Sequence, residues 1–165
     1  MSKQNLISIV LSFIPVAYIL GTFILNLNIF LLIIIGVFLY AKGHRYKIEL
    51  LDKLIILFFI YILFTGLWNT IEDQYFNQRA NTDYYILNKS FFFLRYLFLY
   101  LTIRLLIKKD LINFKLVFIV YSLTVFLVSV DVIIQFFIGK NLLGQVSPND
   151  YKVTGFFQDE AIAGG

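Results

Sequence analysis

Charged side chains are absent from Gln4 to Ala41, a run that is apolar apart from a few hydroxyl and amide groups. A single helix over this run would rise about 1.5 Å per residue and reach about 57 Å. The hydrocarbon core of a bilayer is only about 30 Å thick. The run therefore predicts two helices that fold back on each other, with the turn at the polar pair Asn26 and Asn28.

The remaining apolar windows extend this pattern along the chain. A sixth span is predicted to begin at 161–165, where alanine and glycine residues would allow close helix packing. The expected fold class is therefore all-α, a polytopic membrane protein in which residues 1–165 form a single transmembrane helical domain. The five predicted spans are residues 6–25, 29–41, 54–69, 91–107 and 116–138.

Composition agrees with a membrane protein and excludes several other classes. Hydrophobic residues make up 60% of the chain and charged residues 15%, against about 25% charged in soluble domains. The net charge of +4 does not indicate a nucleic-acid partner, because the basic residues lie in short loops between apolar runs. The chain has no cysteine and a lone histidine, so neither thiolate chemistry, a metal site nor a cofactor is expected.

The distribution of basic residues predicts the topology. The loop 42–53 carries Lys42, Arg45, Lys47 and Lys53, and a second basic group surrounds the gap between the fourth and fifth spans. Both regions are expected to be cytoplasmic, because short cytoplasmic loops carry an excess of lysine and arginine. The amino terminus is then cytoplasmic as well, and residues 139–160 form a segment on the outer side.

Ionisable and polar side chains inside the predicted spans are candidates for function, because they are costly to insert. Arg95 is predicted about 7 Å inside the outer end of the fourth span, whereas Arg104 is expected to extend its guanidinium to the cytoplasmic surface. Asp131 and Gln135 are four residues apart and share one face of the fifth span. The hypothesis is that Arg95 faces Asp131 and Gln135 in a polar pocket open to the outer side. The alternative is a buried ion pair that only fixes helix packing.

The outer segment carries a resemblance to a known family. Asp131, Gln135 and Gly139 are regularly spaced, Gly144 follows, and a longer motif ends just before Gly164. This order resembles the middle of the O-antigen ligases and O-antigen polymerases, which also open with a proline-containing hairpin and carry an arginine early in the span before a basic cytoplasmic turn. The motif reads Lys152-Val153-Thr154-Gly155-Phe156-Phe157-Gln158-Asp159-Glu160.

The resemblance implies a bacterial inner-membrane enzyme with a helical bundle like that of the glycosyltransferase-C enzymes. Such enzymes transfer an oligosaccharide from undecaprenyl diphosphate to a growing glycan or to a lipid A core, on the periplasmic side. This chain would be the amino-terminal part, without the later periplasmic loop that supplies the catalytic arginine and histidine residues. We therefore expect no catalytic residue in this chain and no activity from it alone.

The resemblance also implies roles for individual residues. Arg95 and Lys152 would hold the diphosphate, and Asp131 would orient Arg95. Lys152 stands where the family usually has arginine, so its contact would be through a single point. Asp159 and Glu160 would contact sugar hydroxyls or begin a helix, where carboxylates complement the positive end of the dipole.

Two other classes also fit the sequence. Polar groups within helices are also found in secondary transporters, of which this chain could be a fragment, although it shows no internal repeat. The chain could also be a small membrane scaffold protein.

Overall fold

The structure, a computed structural model, describes residues 3–75, 85–146 and 155–157. These residues are helical, with turns and loops between the helices and no strand beyond an isolated bridge between Lys140 and Val146. The all-α prediction is thus confirmed for this part of the chain. The helices are α1 Lys3–Ser12, α2 Ile14–Leu20, α3 Thr22–Ala41, α4 Leu50–Tyr75, α5 Tyr85–Lys108 and α6 Phe114–Ile138, followed by a 3-10 turn at Gly155–Phe157.

Within the described residues, four helices are long and apolar enough to cross a membrane, for which about 20 residues are needed. The segment Gln4–Leu20 is apolar but shorter. Five spans were predicted, so the count is supported for four of them, and the predicted start of a sixth span at 161–165 lies outside the described residues. The four candidate spans are Thr22–Ala41, Leu50–Glu72, Ile86–Lys108 and Phe114–Ile138.

The predicted turn at Asn26 and Asn28 is wrong, because both residues lie inside α3. The helix breaks instead at Gly21, whose φ of 119° is a conformation that a residue without a Cβ adopts readily. An asparagine inside a helix costs well below 1 kcal/mol in propensity, so tertiary packing readily overrides it. The asparagine side chains therefore do not end the helix, and the second span is longer than the predicted 29–41.

A second, milder irregularity lies between α1 and α2. Pro15 occupies the first turn of α2, where its missing N–H costs little because first-turn amides have no partner within the helix. Hydrogen bonds from Phe13 N to Ile9 O (3.0 Å) and from Ala17 N to Phe13 O (2.8 Å) continue across the junction. The apolar segment Gln4–Leu20 is thus nearly continuous up to Gly21.

Residue contacts divide the chain into two compact units, residues 1–28 with 112–165 and residues 29–111. Helix α3 contributes its first residues to one unit and the remainder to the other. The prediction of a single domain over 1–165 stays a prediction.

The unit 29–111 is built on an antiparallel pair, α4 and α5. Near one end of the pair Gly66 lies against Ser90, so closely that a Cβ on Gly66 would stand 2.2 Å from the Ser90 Oγ. Further along, the Phe59 and Phe93 rings stack with centroids 5.5 Å apart. Small residues at a crossing let helix backbones approach, and packing of this kind drives association where hydrocarbon surrounds the helices.

In the other unit α1 packs against α6 and contacts its beginning. The buried Ser8 hydroxyl on α1 accepts a hydrogen bond from Asn113 N (2.7 Å) and donates one to Gln4 O (2.7 Å). The Asn113 side chain caps α6 by accepting from Leu116 N, which satisfies one of the amides left free at a helix start. Helix α1 thereby fixes the beginning of α6, whose opposite end carries the candidate site.

We predict that Gly66→Val lowers the thermal midpoint of the detergent-purified protein. The added Cβ would collide with Ser90, and overpacking of this kind typically costs about 1–3 kcal/mol. The double variant Gly66→Val with Ser90→Gly returns the space to the interface and should recover most of the loss. Melting followed at a fixed heating rate measures both, and a single variant as stable as the wild type would contradict this close contact.

Candidate functional site

The candidate site lies at the carboxyl-terminal end of α6, where the chain turns back over the helix. Gly139 ends α6 in the left-handed conformation, with φ 77° and ψ 0°, and its N–H donates to Gln135 O at 2.8 Å. The following residues form a tight loop in which Asn141 N donates to Gln145 O (3.0 Å) and Gly144 N donates to Asn141 O (2.9 Å). We call residues 139–146 the outer loop, after the side of the membrane that the sequence predicts for them.

Asn141 holds the outer loop together through its side chain. Its Oδ1 accepts hydrogen bonds from Leu143 N (3.1 Å) and Gln145 N (2.8 Å). Its Nδ2 donates to Gln145 Oε1 (3.0 Å) and to Gly155 O (2.9 Å). This buried amide therefore joins the outer loop to the 3-10 turn at 155–157.

Asp131 and Gln135 fix the same two segments to α6, which confirms the prediction that they share a face. Asp131 Oδ1 accepts from Leu142 N at 2.7 Å, and Gln135 Oε1 accepts from Gly155 N at 2.6 Å. The side chain of Asp131 is fully buried and that of Gln135 nearly so. Two backbone amides that would otherwise be unpaired in an apolar setting are thereby satisfied.

Gly155 leaves space beside the Asp131 carboxylate. Its φ is +58°, and a Cβ at this position would stand 3.2 Å from Asp131 Oδ2 and 3.1 Å from Val132 Cγ2. Asp131 Oδ2 is buried and has no hydrogen-bond partner among the described residues. One carboxylate oxygen is thus engaged with the outer loop, and the other faces the backbone of Gly155.

The predicted site residues fall into three groups. Asp131 and Gln135 come together with the outer loop and Gly155, whereas the predicted contacts of Lys152, Asp159 and Glu160 lie outside the described residues. Arg95 belongs to the unit 29–111 and Asp131 to the other unit. The predicted pairing of these two residues therefore stays a prediction.

Arg95 lies deeper along its helix than expected. Helix α5 begins at Tyr85, so Arg95 lies about 15 Å along the helix axis from the first residue of α5. The sequence predicts a depth of about 7 Å from the outer end of the span. The Arg95 Nη2 donates to the Tyr96 hydroxyl at 2.9 Å, and the guanidinium carbon is 4.8 Å from the centroid of the Tyr96 ring. The Nε is buried and has no hydrogen-bond partner among the described residues.

A second polar cluster, at the start of α4 and the end of α5, is not predicted from the sequence. The fully buried Asp52 accepts hydrogen bonds at Oδ1 from Tyr100 Oη (2.6 Å) and Arg104 Nε (2.9 Å), and at Oδ2 from Glu49 N (2.8 Å). Arg104 Nη2 also binds the exposed Glu49, and the prediction that the Arg104 guanidinium extends to the cytoplasmic surface stays a prediction. The one signal of this cluster in the sequence is an aspartate, Asp52, in the first turn of α4. An acidic side chain at this position can reach back and accept a hydrogen bond from the backbone amide at the helix start.

Glu49 extends this cluster into a more exposed network. Its carboxylate binds Arg104 Nη2 at 2.7 Å and Lys108 Nζ at 2.5 Å. These hydrogen bonds hold the pKa of Glu49 below its usual value, and the one from Lys108 has the larger effect. A carboxylate with a lowered pKa stabilises the fold above its unfolded pKa and loses that contribution as the pH falls through its folded pKa.

For the α6 site we predict that Asp131→Leu accelerates amide hydrogen exchange in the outer loop, because Leu142 N–H loses its acceptor. A hydrogen bond to a charged group contributes about 1.5–3 kcal/mol, which corresponds to at least about tenfold in exchange rate. Asp131→Asn keeps an acceptor oxygen and should exchange more slowly than Asp131→Leu. Ser129→Ala, an exposed change on the same helix, is the control, and an unchanged rate in Asp131→Leu would disprove the attachment.

For the second cluster we predict that Arg104→Met lowers the thermal midpoint more than Lys108→Met. Loss of Arg104 leaves a buried carboxylate without its cation, whereas Lys108 binds a carboxylate that is 48% exposed. Replacing Asp52 by Asn in the Arg104→Met background should recover part of the loss. The smaller effect of Lys108→Met should vanish as the pH falls through the lowered pKa of Glu49, because the protonated carboxyl group no longer attracts Lys108. Equal thermal midpoints for the two single variants at neutral pH would contradict the conclusion that Arg104 compensates a buried carboxylate.

Comparison of the chain with known protein families, with curated proteins and with solved structures finds no match.

Proposed function

We propose that this chain is the amino-terminal membrane part of an oligosaccharide transferase similar to the O-antigen ligases and polymerases. The donor would be an oligosaccharide on undecaprenyl diphosphate, and the acceptor a growing glycan or a lipid A core. The enzyme would act in a bacterial inner membrane, with the amino terminus cytoplasmic and residues 139–160 in the periplasm. The chain would be embedded in the lipid bilayer, and we expect no nucleic-acid partner.

The observation that carries the proposal is the attachment of Gly155 and the outer loop to Asp131 and Gln135. The resemblance rests on the order and spacing of these residues along the chain, and spacing alone requires no contact between them. In the structure Gln135 binds Gly155 N and Asp131 binds Leu142 N. Residues that the family pattern selects in separate segments thus depend on one another, which supports the view that the pattern reflects a shared architecture.

The state of Arg95 supports a role in binding the diphosphate. A guanidinium offers five N–H donors in a fixed plane that matches phosphate oxygens in two-point fashion. One Arg95 donor is bound to Tyr96, and the buried Nε has no hydrogen-bond partner among the described residues. A buried donor without a partner is costly unless a ligand satisfies it, and a lipid-linked diphosphate would do so.

In the proposed reaction, a hydroxyl oxygen of the acceptor attacks the anomeric carbon at the reducing end of the donor oligosaccharide. The bond between that carbon and the diphosphate oxygen breaks, and undecaprenyl diphosphate leaves with the bonding electrons. The hydroxyl proton would pass to a base outside residues 1–165. Arg95 and Lys152 would stabilise the negative charge that develops on the leaving diphosphate.

The experiment begins with the coding sequence beyond Gly165. The proposal requires an in-frame continuation with further spans and a large outer loop rich in arginine and histidine, and an immediate stop codon would remove it. In the extended protein Arg95→Ala should lower oligosaccharide transfer from undecaprenyl diphosphate by about 100-fold or more, as loss of a charge-stabilising donor does. Arg95→Lys, which keeps the charge but not the planar fork, should retain part of the activity.

Two controls make the result specific. Ser129→Ala should leave transfer unchanged, and equal amounts of each variant in the membrane fraction would exclude an insertion defect. Unchanged transfer by Arg95→Ala would reduce Arg95 to a packing residue and contradict its role at the diphosphate.

A further inference from the structure

The unit 29–111 contains an apolar groove of about 440 Å³, well within the range of about 300–1,000 Å³ typical of small-molecule sites. Its walls come from the second half of α3, the start of α4 and the second half of α5, through residues such as Val37, Ile56, Leu101 and Leu105. Arg45 and Tyr46, from the loop between α3 and α4, lie at one end. We call this cavity the α3–α5 groove.

The end of α3 determines where Arg45 lies. Gly43 adopts φ +88°, and the turn closes with hydrogen bonds from Gly43 N to Tyr40 O (3.0 Å) and from His44 N to Leu39 O (3.1 Å). This is the pattern in which a glycine ends a helix and reverses the chain. The Arg45 guanidinium consequently lies over the ring of Tyr40, 5.7 Å from its centroid.

The charge at this end of the groove is not neutralised by the carboxylates nearby. Asp52 binds Arg104, and Glu49 binds Arg104 and Lys108. In the described part of the chain none of the ion pairs includes Arg45, whose cation meets an aromatic face instead. Lys42 likewise lies 4.2 Å from the centroid of the Phe38 ring.

Apolar walls and a positive end describe a complementary ligand with a hydrocarbon chain and an anionic head. We propose that the α3–α5 groove binds an anionic phospholipid, with one acyl chain along the walls and the phosphate at Arg45. The walls belong to helices long and apolar enough to span a membrane, so acyl chains are the medium around them. Basic residues at a membrane surface attract anionic headgroups, and the lipid would come from the leaflet next to the 42–49 loop.

The test is native mass spectrometry of the full chain in detergent, titrated with phosphatidylglycerol or phosphatidylcholine. Phosphatidylglycerol should bind more tightly, and Arg45→Ala should weaken its binding by about tenfold, as expected for a charge-assisted contact. Lys47→Ala removes the same charge from the same loop outside the groove lining, and should weaken binding by a smaller factor. Inorganic phosphate should not compete.

A variant that fills the groove without changing its charge distinguishes a lipid bound inside the groove from a lipid held by electrostatic attraction to the protein surface. Leu101→Trp should abolish tight binding of phosphatidylglycerol, with an unchanged thermal midpoint showing that the chain is folded. Val37→Trp, at a more exposed wall position, serves if Leu101→Trp does not fold.

Three outcomes would overturn the proposal. Equal losses in Arg45→Ala and Lys47→Ala with no effect of the tryptophan would indicate attraction to the surface alone. Competition by inorganic phosphate would indicate a free-anion site. Equal binding of the two lipids would indicate a groove that selects only hydrocarbon.

Discussion

The structure depends on one constraint, namely that polar groups surrounded by apolar helices need partners within the chain. Asp131 and Gln135 meet it by accepting from backbone amides of the segments that follow α6. Asp52 meets it with a tyrosine, an arginine and the backbone amide of Glu49. The two clusters solve the same problem differently, one by attaching a loop to a helix and the other by joining two helices.

The helices could be predicted from the sequence, because long apolar runs are a strong signal and charged residues mark their ends. The break at Gly21 is not predicted, because the sequence argument for the turn rests on the polarity of Asn26 and Asn28, and backbone freedom matters more for a sharp turn than side-chain polarity does. The predicted start of the fourth span at residue 91 is too late, because α5 begins at Tyr85 and includes the charged Lys89.

The contacts of the site could be predicted only in part. Spacing along one helix was sufficient to place Asp131 and Gln135 on one face, because helical geometry fixes that relation. What they bind could not be predicted, since backbone amides carry no sequence signature. The pairing of Asp52 with Arg104 depends on the rotation of two helices about their own axes, and the weak amphipathicity of such apolar helices leaves that rotation undetermined in the sequence.

The hydrogen bonds of Asn141 limit how the sequence of this protein can evolve. Its side-chain amide uses both hydrogens and both acceptor positions at once. Aspartate would offer no donor, and glutamine would place the same group one methylene too far away. A substitution of Asn141 should therefore be tolerated only together with substitutions of the residues that it contacts. Among related sequences, the residues from the end of α6 to Gly155 should accordingly change together and tolerate few single substitutions.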